Sequence, residues 1–188
     1  MTVPELLRRA TELVPAGVRS GTGWSSADVR EYLREHEWGV ALGLLQEFDG
    51  LGWQPAEFWD LLADAAQRMR LEYDMRWCRW RGDETRCGSI IRAELQLLAP
   101  EAGGPRQPLP GTGRLRPMWA VGDGDVGRRI ARFLAESTPE IPVGGQGTIR
   151  LLPFTPDAWR HLRRGDLITM HQRRPAIAAA RIIEIQRA

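Results

Sequence analysis

Residues 82–98 read GDETRCGSIIRAELQLL, and the grammar of the chain changes within them. Gly82-Asp83 is a turn signal. Beyond it, Ile90 to Leu98 mixes β-branched and aliphatic residues with Arg92, Glu94 and Gln96 in alternation, the period of a half-buried strand. Toward the N-terminus the period is helical instead. Leu6, Leu7, Ala10 and Leu13 recur at helical spacing within Pro4 to Val14, where the proline suits a first turn. Pro15 to Trp24 is rich in Gly, Ser and Pro and reads as a loop, after which Ser26 is suited to cap a helix beginning near Ala27, with Val29, Tyr32 and Leu33 as its buried stripe. Trp38, Ala41, Leu44, Leu45 and Phe48 continue an apolar face after a break near Gly39, and Asp49-Gly50 ends it. Pro55 opens a further helix, in which Phe58, Leu61, Leu62, Ala65 and Met69 repeat the i, i+3, i+4 pattern.

Three or four helices therefore pack as a small bundle, with a boundary near residues 82–88. Further strands are expected at Leu115 to Val121, Ile130 to Leu134, Thr148 to Leu152, Asp166 to Gln172 and Ala176 to Ile185, with Pro and Gly clusters between them. The predicted fold class is α+β in two domains: a small helical bundle over residues 1–84 and an all-β barrel over residues 85–188.

A chain of 188 residues can bury one large core or two small ones. No segment approaches the roughly 18 unbroken apolar residues of a membrane span, so no membrane association is expected. Met1 to Ala10 carries Glu5, Arg8 and Arg9 and lacks the continuous apolar stretch of a secretory signal, which points to a cytoplasmic location. Cys78 and Cys87 are the only cysteines, and they lack zinc-site spacing and read as reduced thiols. All 26 basic residues are arginine, which removes the P-loop lysine, the Schiff-base lysine and the lysine general base together. An ordinary P-loop GTPase is excluded on that ground.

The net charge of +2 conceals an asymmetry, since residues 1–84 sum to −5 and residues 85–188 to +7. The acid is concentrated between Ser26 and Asp64, where nine Asp and Glu residues face only Arg30 and Arg34. Such a field attracts basic partners and raises association rates. Asp28, Glu31, Glu35, Glu37, Asp60 and Asp64 are the candidate acidic contact residues. On the basic half, Arg106, Arg114, Arg116, Arg163 and Arg164 are the candidates for contacting nucleic acid or a second partner.

Gly122, Gly124 and Gly127 match G-x-G-x-x-G, but a nucleotide site needs a βαβ unit around the glycines and the neighbours here read as strands, so a hairpin loop is expected. His36, His161 and His171 are scattered and adjoin no recognisable nucleophile motif. Trp77, Arg79, Trp80 and Arg81 combine aromatic faces with guanidinium groups, which suits either base stacking or a packed interface between the domains. No catalytic residue, metal site or cofactor is expected, and the chain reads as a binding protein without enzymatic activity.

Residues 28–42, DVREYLREHEWGVAL, and residues 57–66, EFWDLLADAA, followed by Met69, resemble the MafI-type immunity proteins of bacterial polymorphic toxin systems. The resemblance spans roughly Pro4 to Trp77 and is tightest at Glu37-Trp38-Gly39 followed by Ala41-Leu42. It implies a small helical protein that binds and neutralises a cognate toxin. The second half, about Ser89 to Arg187, resembles the C-terminal β-barrel domain of elongation factor Tu. Ile90 to Leu98 stands at its first strand, residues 101–108 (EAGGPRQP) at the following loop with Pro105 in place of the family's arginine, and Arg116-Pro117-Met118-Trp119 at its Arg-Pro-x-aromatic strand. Residues 149–153, 162–165 and 180–185 follow the order of the closing strands. In that family the barrel touches tRNA and the exchange factor.

Together these readings predict an immunity-like protein whose acidic helices dock on a basic, nuclease-type toxin, with Tyr32, Trp38 or Trp59 as anchors and the barrel as a second interaction module. The alternative is a translation-linked module that binds tRNA or a translation factor. No small-molecule substrate is expected.

Overall fold

The computed structural model describes residues 1–122, 127–172 and 175–187. They form five α-helices and a closed six-stranded antiparallel barrel, an α+β composition. The chain divides into two compact units, Met1–Gly88 and Ser89–Arg187.

The first unit holds α1 (Val3–Glu12), α2 (Ser26–Arg34), α3 (Trp38–Gln46), α4 (Ala56–Arg68) and α5 (Glu72–Cys87). Its core gathers Leu6, Leu7 and Ala10 of α1, Val29 of α2, Leu42 and Leu45 of α3, and Phe58, Trp59 and Leu62 of α4. The cap of α2 is Ser25, one residue before the expected Ser26: the Ser25 N–H donates to Asp28 Oδ2 at 2.7 Å, and the Asp28 N–H returns to Ser25 Oγ at 3.4 Å. The break before α3 falls at His36 and not at Gly39, which lies inside the helix. His36 takes a left-handed φ of 65°, and the Glu37 N–H closes the turn on the Tyr32 carbonyl at 2.9 Å. Arg70 (φ 60°) ends α4 in the same way, with the Leu71 N–H on the Ala66 carbonyl at 2.9 Å.

Gly82-Asp83 is not a turn, because α5 runs straight through it. Gly82 is buried, and a Cβ there would stand 3.4 Å from Trp59 Cβ and 3.1 Å from Arg86 Nη1. The glycine lets α5 approach α4 closely. The helix stops at Gly88, whose φ of 63° suits the absence of a side chain.

The second unit contains β1 (Ser89–Leu97), β2 (Leu109–Pro110), β3 (Met118–Ala120), β4 (Arg128–Ala135), β5 (Glu140–Ile141), β6 (Gln146–Pro153), β7 (Leu167–His171) and β8 (Ala176–Arg187). The barrel order is β1-β6-β4-β3-β7-β8, with β8 returning to β1, while β2 and β5 form a separate two-stranded pair. Ile91, Ala93, Leu95 and Leu97 of β1 point into the core with Trp119, Phe133, Ile149, Leu151, Met170 and Ile182. The strand expected from Leu115 contracts to Met118–Ala120, and β2 and β5 add two short strands to those the sequence pattern predicts. β3 and β4 pair antiparallel from Ala120↔Arg128, which is not the parallel pairing of a βαβ nucleotide site. Positions 123–126 of the glycine motif lie outside the described residues.

Candidate functional site

The six acidic candidates fall into two groups. Asp28, Glu31 and Glu35 follow one another along α2 and its C-terminal end, and Glu37 precedes α3. Asp60 and Asp64 stand one turn apart on α4. α2 packs on α1 and α3, whereas α4 packs on α1, α3 and α5. The groups also differ in charge balance. On the α4 side, Asp60 accepts from Arg86 Nη2 at 2.7 Å on Oδ1 and again on Oδ2, and Glu57 pairs with Arg9. Asp28 is held by its own cap, where the Ser25 hydroxyl and backbone N–H keep its carboxyl below the ordinary aspartate range. Glu31, Glu35, Glu37 and Asp64 are exposed and have no ion-pair partner among the described residues.

Aromatic side chains lie close to the unpaired acids of α2. Trp24 meets Tyr32 edge-on with centroids 6.4 Å apart, and His36 lies 5.7 Å from Trp38. Tyr32 and Trp38 are half-buried, packed against the core with part of each ring at the surface. Trp59, the third expected anchor, is fully buried and serves the core alone.

The Trp- and Arg-rich segment of α5 is likewise internal. The Arg81 guanidinium stands 2.7 Å from Asp49 Oδ1 and 3.0 Å from Glu84 Oε2, and it lies over the Trp59 ring at 4.7 Å and the Trp77 ring at 5.7 Å. The Trp80 indole N–H donates to Glu84 Oε1 at 2.8 Å, and Arg79 donates to Gln67 Oε1 at 2.8 Å. Arg81 and Trp80 are buried, so they offer no open ring face for a nucleobase. The i, i+3 spacing of Arg81 and Glu84 is the sequence signal for this pair.

Arg106, Arg114, Arg116, Arg163 and Arg164 are all exposed. They do not form one patch. Met118 pairs with His171 at the end of β7, which brings Arg114 and Arg116 to that end, whereas Arg163 and Arg164 precede Leu167 at its start. Arg106 lies in the loop before β2. The Arg163 N–H donates to Asp166 Oδ2 at 2.8 Å, and the Arg116 guanidinium lies 5.4 Å from the centroid of Phe154.

Two features of the second unit lay beyond sequence reasoning. The first is an ion network on the outward face of the barrel wall. Arg92 grips Glu136 with Nε and Nη2 at 2.6 and 2.7 Å, reaches Glu184 at 2.7 Å, and shares Glu136 with Arg150 at 2.9 Å. Burial alone would raise the Glu136 carboxyl, but the hydrogen bonds from Arg92 and the charge of Arg150 bring it below the ordinary glutamate range. Arg92 lowers Glu184 through its hydrogen bond, and its own pKa is raised by Glu136. Register creates this network, setting Arg92 opposite Arg150 on one side and Glu184 on the other.

The second is an open cavity of about 320 Å³ at one end of the barrel, with Phe133, Met170 and Ile177 among its lining and Leu115, Arg116 and His171 bordering it.

Among the described residues, no group of three His, Cys, Asp or Glu side chains is arranged to hold a metal ion, and no helix is long and apolar enough to cross a membrane. His161 faces the Val121 carbonyl through Nε2, and His171 Nε2 lies 2.8 Å from the Thr169 hydroxyl. No known protein-family profile matches the chain, and no curated protein matches it significantly.

Proposed function

We propose that this chain is a non-catalytic, immunity-like protein of the bacterial cytoplasm that binds and neutralises a basic, nuclease-type toxin through its acidic helical unit. The observation that carries the reading is the difference between the acids along α2 and before α3 and those at the start of α4. Glu57 and Asp60 are matched by Arg9 and Arg86, while Glu31, Glu35 and Glu37 are exposed without an internal cation. Unmatched charge of one sign accelerates encounter with a surface of the opposite sign. Tyr32 and Trp38, half-buried beside those acids, supply the aromatic contact that slows dissociation. No bond is made or broken; inhibition follows from covering the toxin's active site.

The resemblance of residues 28–42 to MafI-type immunity proteins supports the same reading. The test is capture from the native host with the whole chain, followed by kinetics with the recovered protein. A basic toxin domain whose activity the chain abolishes, and whose association slows with rising salt, is the expected result. A toxin that binds Glu31→Lys/Glu35→Lys/Glu37→Lys protein with unchanged on-rate would refute the role of α2.

A second reading is favoured by Arg106, Arg114, Arg116, Arg163 and Arg164, which are exposed and whose guanidinium groups make no ion pair among the described residues. In it the barrel contacts tRNA or a translation factor. Binding to tRNA would then weaken linearly in log–log salt plots, with a slope set by the number of phosphates neutralised. No retention of tRNA by the whole chain at low salt would remove this reading.

A further inference from the structure

The barrel is closed along its sides but not at both ends. Phe133 and Met170 are fully buried inward-facing residues of β4 and β7, and Ile177 belongs to β8, yet all three line the cavity that opens at the His171 end of the barrel. An apolar core that reaches an open cavity of about 320 Å³ has the size and chemistry of a ligand pocket, and barrel mouths are a common place for one. Among the described residues, none of the side chains lining it is a carboxylate, and Arg116 is the one arginine in its lining.

Arg116 is positioned to receive an anion. Its guanidinium lies over the Phe154 ring, 5.4 Å from the centroid, and has no acidic partner among the described residues, so its donors are available to a carboxylate. Arg114, two positions before Arg116, and Arg129, opposite Trp119 in register, are also exposed. The apolar surface does not end at the pocket. Leu115 is 36% exposed, Ile130 45% and Phe154 52%. Ile130 stands opposite Met118 in register, and the Phe154 N–H donates to the Ile130 carbonyl at 3.1 Å. A small free acid would fill the pocket and leave Ile130 and Phe154 bare, whereas a chain end would cover them.

We propose that this mouth binds the carboxyl-terminal residue of a polypeptide, with an apolar side chain against Leu115 and Met118, which line the cavity together with the buried Phe133 and Met170, and its terminal carboxylate on Arg116. The preceding residues of that polypeptide run across Ile130 and Phe154. This gives the barrel a recognition role of its own, whichever partner the helical unit takes.

The probes are a hexapeptide ending in phenylalanine with a free carboxyl terminus, the same peptide amidated, and 4-phenylbutyrate, each titrated into the full chain carrying ¹³C-methyl methionine. The free-acid peptide is expected to shift the Met118 and Met170 methyl signals and to bind at least tenfold more tightly than the amide. Arg116→Gln should bring the acid down to the level of the amide and leave the amide unchanged. Ile130→Ser should weaken the peptide and leave phenylbutyrate unaffected. Both substitutions are at exposed positions, and unchanged methionine spectra without ligand will show that the fold is intact. Equal binding of acid and amide, or titrations that leave both methyl signals in place, would overturn the proposal. So would phenylbutyrate binding as tightly as the peptide, which would make a small acid the occupant.

Discussion

The Arg81 guanidinium and the Glu84 carboxylate stand 3.0 Å apart, one turn along α5, and their side chains are only 3% and 0% exposed. Glu84 also accepts the Trp80 indole N–H, and Arg81 extends to Asp49 at the surface. An ion pair this deeply buried contributes little by existing, but losing one partner strands the other charge. Arg81→Met and Glu84→Leu are each expected to destabilise the protein by about 3–5 kcal/mol, and the double variant by much less than the sum. Urea denaturation of the four proteins in the cycle measures this directly.

Acid should unfold the barrel through Glu136 and Glu184. Both carboxyls are held below their ordinary value of 4.5 by Arg92, so the unfolded chain binds their protons more readily than the folded one. Their contribution is complete above that value and disappears as the pH falls through the lowered ones. In Arg92→Gln the stability at neutral pH is expected to drop and its dependence on acid to flatten. Urea midpoints recorded between about pH 7 and pH 2 will read both effects. A variant retaining the steep acid dependence would show that other carboxylates control it.

The two thiols should differ sharply in reactivity. Burial, reinforced by the charge of Asp74, pushes the Cys78 thiol far above its ordinary value of 9.0, whereas Cys87 is half-buried at the end of the same helix. Nine residues of α-helix separate them by about 13 Å, too far for a disulfide within the chain. One equivalent of thiol is expected to react with Ellman's reagent under native conditions and two in denaturant. Cys87→Ser should abolish the native reaction, and a fast native reaction in that variant would contradict the burial of Cys78.

The left-handed residue after α4 is open to improvement. Arg70 holds a φ of 60° with an exposed side chain, at a position where glycine is ordinarily preferred. Relief of the Cβ clash outweighs the added freedom of the unfolded chain, so Arg70→Gly should stabilise by about 0.5–1 kcal/mol. A lower thermal midpoint in the variant would mean that the arginine makes a compensating contact.

What the sequence reveals and conceals follows from the range of each interaction. The stripe of Leu6, Leu7 and Ala10 and the alternation of Ile91, Ala93, Leu95 and Leu97 are local, and both appear where the pattern puts them. Gly82 misleads because the same residue serves turns and close helix packing, and only the position of Trp59 tells them apart. His36 carries no glycine signal for its left-handed turn. β2 and β5 are two residues each, too short to show any period. The candidate acids were legible by type, but the ion pair that sets Asp60 apart from the others rests on Arg86, 26 positions away. The Arg92 network and the cavity at the barrel end depend on strand register, joining residues as far apart as Arg92 and Glu184.

β8 returns to pair with β1 from Ser89↔Arg187 to Leu97↔Ala178, so among the described residues the ring of six strands has no edge strand. A second polypeptide has no strand there to extend, which rules out β-augmentation of the ring as a mode of capture and edge-to-edge stacking as a route to fibres. Recognition by the ring is therefore confined to side chains and to its open end. Substitutions there can retune specificity one residue at a time while the hydrogen-bonded frame stays as it is.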